Sequence, residues 1–172
     1  MIYVIDHEDS FTYNLVHLLE GFAPTYVSNY YDINWRQLEK SKIIIFSPGP
    51  GNPSHYPQTQ KVYKKYKGNK KIIGICLGFQ QILYAENANI VPQKKIYHGY
   101  QSKVKVLKES SLFKLNKVFL TGRYHSLKLK EPFNSSSLKI SMRCAESNVA
   151  MAIEDTINNV YGFQFHPDSF LT

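Results

Sequence analysis

Cysteine is scarce in this chain: Cys76 and Cys144 are the only two among 172 residues. Two thiols cannot build the disulfide framework of a small secreted domain, and neither has the spaced partners of a zinc site, so reduced thiols are expected. Long apolar runs are missing as well. No stretch approaches the ~20 residues that cross a bilayer, and the opening MIYVIDHED meets an acid at Asp6, so neither a membrane span nor a signal peptide is expected and the chain reads as cytoplasmic. Acidic residues are outnumbered, 13 against 21 Lys and Arg, leaving a net charge of +8. Such an excess would suit an anionic partner. The lysines, however, are scattered in short groups such as KKYKGNKK (64–71), the pattern of a solvated helix end, and no nucleic-acid partner is expected. Internal repeats, low-complexity tracts and linkers are lacking too, so residues 1–172 read as one domain.

What is present is strongly patterned. With 43% hydrophobic residues the chain is long enough for a real core. Its first half alternates short β-type runs with helical ones, the pattern of a parallel sheet flanked by helices. Residues 2–5 read as a buried strand, followed by a helix that Asp9 or Ser10 caps and Gly21 stops, with Phe11, Leu15, Val16, Leu18 and Leu19 on one face. A weak strand is expected at 25–28 and a strong one at 42–46, running into SPGPGNP, which cannot be helix or strand interior. A helix over 58–67 closed by Gly68, a strand over 71–75 and a helix over 77–85 follow. From Ile90 onward the pattern is β-rich and antiparallel in part: QSKVKVL alternates polar and apolar, KVFLT, LKISM and VAMAIED are short, and an Asn158-Asn159 turn leads into VYGFQF.

Three stretches carry chemistry. In GICLGFQQ (74–81) a strand ends, turns on Cys76 and resumes as a helix, the geometry of a nucleophile elbow, with glycines where backbones approach closely. The helix N-terminus faces the sulfur and favours its thiolate, although a buried small cysteine fits the same stretch. A thiolate needs a base, and the base needs a group to fix its tautomer. FHPDS supplies both, with His166 after a strand and Asp168 two residues on; in open parallel sheets, sites gather at the carboxyl ends of strands. SPGPGNP is the third, a stiff loop with bare N–H groups suited to a carbonyl oxygen or a zwitterion, or a plain surface turn; it lacks the GK[ST] of a phosphate loop. His98 and His125 have no carboxylate or cysteine cluster around them and predict no metal site.

DHEDSFTYNL, SPGPGNP, GICLG-x-Q, HG near 98, GRYHSL and GFQFHPDS, in this order over almost the whole chain, resemble the class I glutamine amidotransferases, in particular the small subunits that serve anthranilate and p-aminobenzoate synthesis. The resemblance implies a flavodoxin-like α/β domain, a mostly parallel sheet flanked by helices with a smaller antiparallel portion. It implies hydrolysis of L-glutamine to glutamate and delivery of ammonia to a chorismate-binding synthase large subunit. By that resemblance Cys76 is the nucleophile, His166 the base and Asp168 the third member; backbone N–H groups of Gly49 and Leu77 form the oxyanion hole. Gly49, Pro50, Gly51, Gln80, Ser126 and Leu127 match glutamine-binding positions. No cofactor is implied in this chain, with magnesium expected only in the synthase partner.

The motifs also depart from the family pattern. Asp168 stands where Glu is usual and is one methylene shorter, Phe79 stands where His is common, and Tyr100 follows HG where Lys is frequent. Relatives continue past this point into a final helix, which is expected to be absent here. These departures leave room for a docking subunit without catalysis. Glycine in SPGPGNP, where the p-aminobenzoate type often has cysteine, leans the chain toward anthranilate, with the p-aminobenzoate branch of folate synthesis as the alternative.

Overall fold

In the computed structural model, which describes residues 1–172, the apolar runs of the first half become adjacent parallel strands. They are β1 (Ile2–Asp6), β2 (Thr25–Asn29), β3 (Ile43–Phe46) and β4 (Lys71–Ile75), linked by α1 (Thr12–Glu20), α2 (Trp35–Lys40) and α3 (Pro57–Tyr66). Then come α4 (Leu77–Ala85), β5 (Ile90–Pro92), β6 (Tyr100–Val106), β7 (Val118–Arg123), β8 (Leu127–Leu129), β9 (Lys139–Cys144), β10 (Ala150–Asp155) and β11 (Val160–Phe163). Nine of these strands form one sheet in the order β2-β1-β3-β4-β11-β10-β9-β6-β7, and β5 pairs with β8 apart from it. From β2 to β11 every pairing is parallel. Beyond β11 every pairing is antiparallel.

The expected fold class is thus the observed one, a doubly faced α/β sheet with an antiparallel extension from the second half. Side-chain alternation explains why both faces are covered. Tyr3 and Ile5 of β1 join Ile44, Phe46, Ile72, Val62 and Ile82 in the larger core beneath α3 and α4. Ile2 and Val4 point the other way, to Leu15 and Val16 of α1 together with Ile45 and Ile75. Each such side chain contributes ~1.5–3 kcal/mol on burial, so these two clusters hold the helices to the sheet. Strand β6 alternates as its sequence does, burying Ser102, Val104 and Val106.

Local signals were less reliable than the strands. Neither Asp9 nor Ser10 caps α1; its N-cap is Phe11, without a side-chain bond. The Asp9 carboxylate is used one step earlier, accepting the Phe11 N–H at 2.8 Å in a local turn. Gly21 does end α1, but in right-handed backbone that needs no glycine. The short α2 lies where no element was expected; Asn34 starts it by accepting the Gln37 N–H. No helix is long and apolar enough to cross a membrane.

Candidate active site

Register places the chemistry. Strand β11 lies parallel to β4 with Phe163 opposite Ile75, so residues leaving the two strands emerge side by side. The Cys76 N–H donates to the Phe163 carbonyl at 2.8 Å, which locks the turn after β4 to the end of β11. Cys76 itself has φ 52 and ψ −100, a conformation rare for a residue with a Cβ. The strain aims the thiol at the N-terminal end of α4, as an elbow requires. Flanking glycines make the bend possible: a Cβ on Gly78 would lie 2.1 Å from the Phe46 carbonyl oxygen, and one on Gly74 would lie 2.3 Å from that of Gly78.

The SPGPGNP loop is fastened beside this elbow from beneath. His7 at the end of β1 is fully buried. Its Nδ1 faces the Ser47 carbonyl at 3.2 Å, so this nitrogen carries the proton, and its Nε2 accepts from Thr59 Oγ1 at 2.9 Å. Burial pushes its pKa down to about 3 against the pull of that carbonyl, and the ring works as a neutral tether. The Tyr56 hydroxyl donates to the Pro50 carbonyl at 2.6 Å and closes the loop from the other side. At Gly49 a Cβ would meet His7 Cβ at 2.5 Å and Leu77 Cδ2 at 2.6 Å, so only glycine lets the loop backbone reach the elbow.

His166 and Asp168 are sealed behind the thiol, their side chains 2% and 0% exposed. The imidazole packs between Phe11 and Tyr124, with ring centroids 5.1 and 5.0 Å away. Its Nδ1 lies 3.7 Å from Asp168 Oδ1, inside ion-pair range and beyond a hydrogen bond. Burial alone lowers the pKa of His166, but the Asp168 carboxylate and the adjacent Cys76 thiol outweigh it and raise it to about 10. Neither ring nitrogen and neither carboxylate oxygen is in a formed hydrogen bond.

These parts meet at one cleft of about 160 Å³. Its walls are Gly49, Pro50 and Gly51 of the loop, Cys76, Leu77 and Gln80 of the elbow and α4, and Tyr124 through Leu127. Every residue expected to touch substrate therefore lines it, and Cys76 opens into it. The Gln80 side chain is spoken for, its amide donating to Gln164 Oε1 at 3.1 Å. A scan against family models matches residues 3–172 to "Glutamine amidotransferase class-I". The chain belongs to that family.

Two curated relatives agree across nearly their full lengths. Anthranilate synthase component 2 of Lactococcus lactis is 36% identical over 174 residues, covering 100% of this chain and 88% of the relative. Its counterpart from Cyanidium caldarium is 35% identical over 179 residues, covering 100% and 92%. Among solved structures, a Thermoplasma acidophilum protein described as part of a GMP synthase has a TM-score of 0.85 at 21% identity, covering 99% of this chain and 85% of its own. A glutamine amidotransferase from Thermotoga maritima has a TM-score of 0.73 at 15% identity, covering 97% and 75%. At these identities the two structures speak to the fold alone.

For this amidotransferase, several contributors were given no individual role by the sequence, although DSFTYN and RYHS were expected to help shape the site or a docking face. Gln164, buried, points its amide at Cys76 Sγ from 3.7 Å while holding Gln80. Phe11 and Tyr124 wall the imidazole, and His125 lines the cleft. All four sit inside motifs recognised as strings; their roles follow only from which side chains face one another across the sheet ends. Phe79, the expected departure, is part of the apolar core. His98 is exposed, His125 is hydrogen-bonded to Arg123 at 3.0 Å, and no group of three or more His, Cys, Asp or Glu is placed to hold a metal.

Proposed function

We propose that this amidotransferase is the glutaminase component of an anthranilate synthase, using Cys76, His166 and Asp168 on glutamine bound in the 160 Å³ cleft. The observation that carries the reading is the meeting, in that one cleft, of an elbow cysteine, a helix N-terminus and a glycine loop, with a buried histidine 3.7 Å from a carboxylate behind them. Cys76 Sγ attacks the side-chain amide carbon of glutamine. The carbonyl oxygen becomes an oxyanion between the N–H groups of Gly49 and Leu77; Leu77 is the first residue of α4, whose N–H has no intrahelical acceptor. Donors of this kind are typically worth ~10²–10³ in rate each. His166 protonates the departing ammonia, and then takes a proton from the water that cleaves the glutamyl thioester. Asp168 steadies the imidazolium between these steps.

Ammonia is a nucleophile and ammonium is not, so product released into water would be lost. That chemistry calls for a synthase subunit docked over the site, with chorismate as its substrate. The names of the full-length relatives support anthranilate as the product.

A glutamine-mimicking alkylator with the complex should label Cys76, and the label should vanish in Cys76→Ala. Mixed with chorismate and the large subunit of an anthranilate synthase, the chain should yield anthranilate in a glutamine-dependent manner. An unlabelled thiol in the assembled complex would leave only a docking role, and aminodeoxychorismate formed with only the other large subunit would move the chain to the p-aminobenzoate branch.

A further inference from the structure

Arg123 at the end of β7 is fully buried, yet no carboxylate pairs with it. Its guanidinium lies 3.5 Å over the Tyr97 ring, Nη1 faces Ser102 Oγ and Cys144 Sγ, each at 3.4 Å, and Nη2 has no partner. A buried cation without a counter-ion is costly, so its retention calls for a reason. The one close directional bond it makes is from Nε to His125 Nε2, at 3.0 Å.

That bond decides the state of His125. Arginine only donates and keeps its proton, so Nε2 must offer a lone pair. The ring's proton therefore sits on Nδ1, 2.8 Å from the Leu127 carbonyl, which only accepts. A cationic imidazole would set an N–H against an N–H of the guanidinium. Leu127 and Ser126 form one wall of the cleft. The same segment is held from outside by Gln93, whose backbone N–H donates to the Ser126 carbonyl at 2.9 Å and whose amide donates to that of His125.

We propose that Arg123 and His125 are positioning residues for glutamine: Arg123 keeps His125 neutral with its proton on Nδ1, and that proton fixes the Leu127 carbonyl and the cleft wall carrying Ser126. This inference rests on the glutamine reading above. The groups facing His125 agree with it. Burial, then Arg123, hold its pKa down to about 3, with His166 adding to the push; Tyr97 stacks on it at 6.0 Å, and Cys144 is reached through Arg123. Gln93 Nε2 also lies 3.2 Å from Nδ1, but its nearer acceptor is the His125 carbonyl at 2.5 Å, which leaves Nδ1 to the Leu127 carbonyl at 2.8 Å. No carboxylate acts on the ring.

The test compares Arg123→Met with Arg123→Gln, whose amide can still donate to Nε2, in the whole chain with its synthase partner. Histidine ¹⁵N NMR should find His125 as the Nδ1–H tautomer, untitrated from about pH 8 to 5, in the wild type and in Arg123→Gln. In Arg123→Met the Nε2–H tautomer should appear and the titration should move up from about 3, staying below the ordinary ~6.5 because burial still holds it down. Relative to the wild type at each pH, KM for glutamine in Arg123→Met should be about tenfold higher across about pH 5.5 to 7.5, with kcat changed less than about twofold, the scale of one buried hydrogen bond left unmade. Arg123→Gln should stay near the wild type. A folded, active Arg123→Met with wild-type KM throughout overturns the proposal. So does a wild-type His125 protonated, or carrying its proton on Nε2, at neutral pH, a result that needs no variant to fold. A wild type that turns over no glutamine strikes the functional reading instead, and the tautomer still judges the arginine–histidine lock.

Discussion

His166 Nδ1 stands 3.7 Å from Asp168 Oδ1, each side chain shut away from solvent. A glutamate there, one methylene longer, could reach across this gap without any backbone movement. Asp168→Glu should bring the oxygen into the 2.7–3.2 Å range of a formed bond and hold or raise kcat. Asp168→Asn removes the charge that favours the imidazolium and should lower kcat by on the order of 10²-fold, less than the ~10⁴ for a triad aspartate fully bonded to its histidine. Steady-state glutaminase assays on the two folded variants check this. A folded but inactive Asp168→Glu would show that the carboxylate does not act through the ring.

The raised pKa of His166 has a consequence at alkaline pH. Its folded value of about 10 lies above the ordinary 6.5, so its contribution to stability is fully present below 6.5 and is lost as pH rises through 10. Cys76→Ala removes one of the groups that raise it. In that variant the His166 NMR titration should move down, and the loss of stability between about pH 6.5 and 10 should shrink. An unmoved titration would mean that the thiol and ring do not sense each other.

Acid acts through different rings. His7 and His125 are both held near 3, so the unfolded chain binds protons there that the folded chain refuses. Stability gained by keeping them neutral is present above 6.5 and lost as pH falls toward 3, at ~1.4 kcal/mol per pH unit for each ring. Urea titrations of His7→Gln should show one ring's share of that slope removed. A slope unchanged by the substitution would place the acid sensitivity elsewhere.

The elbow trades stability for aim. With φ 52 and ψ −100 at Cys76, a glycine there should relieve backbone strain of ~1–3 kcal/mol that alanine keeps. Cys76→Gly should therefore melt above Cys76→Ala, although both should be inactive. Equal melting temperatures would mean that the turn is relaxed in solution.

Close approach gives the last expectation. Gly78→Ala puts a methyl 2.1 Å from the Phe46 carbonyl oxygen, backbone that cannot step aside. The variant should lose more than about 4 kcal/mol or fail to fold, whereas Ser54→Ala on an exposed turn should cost under about 1 kcal/mol.

The chain's own order of residues determined the strands, most of the helices and which groups are the candidates for the chemistry, because those depend on local causes. Apolar runs bury as parallel strands, the glycines of Gly-x-Cys-x-Gly admit a tight bend, and prolines bar regular structure from the 47–52 loop. Tertiary structure alone decided that β11 slides in beside β4, which sets residues 76 and 166 together, and that β7 delivers Arg123 to His125. It also decided the 3.7 Å gap and the protonation of three buried imidazoles. Distances of a few tenths of an ångström and the dielectric around a ring arise from contacts far apart along the chain, and no periodicity or motif encodes them.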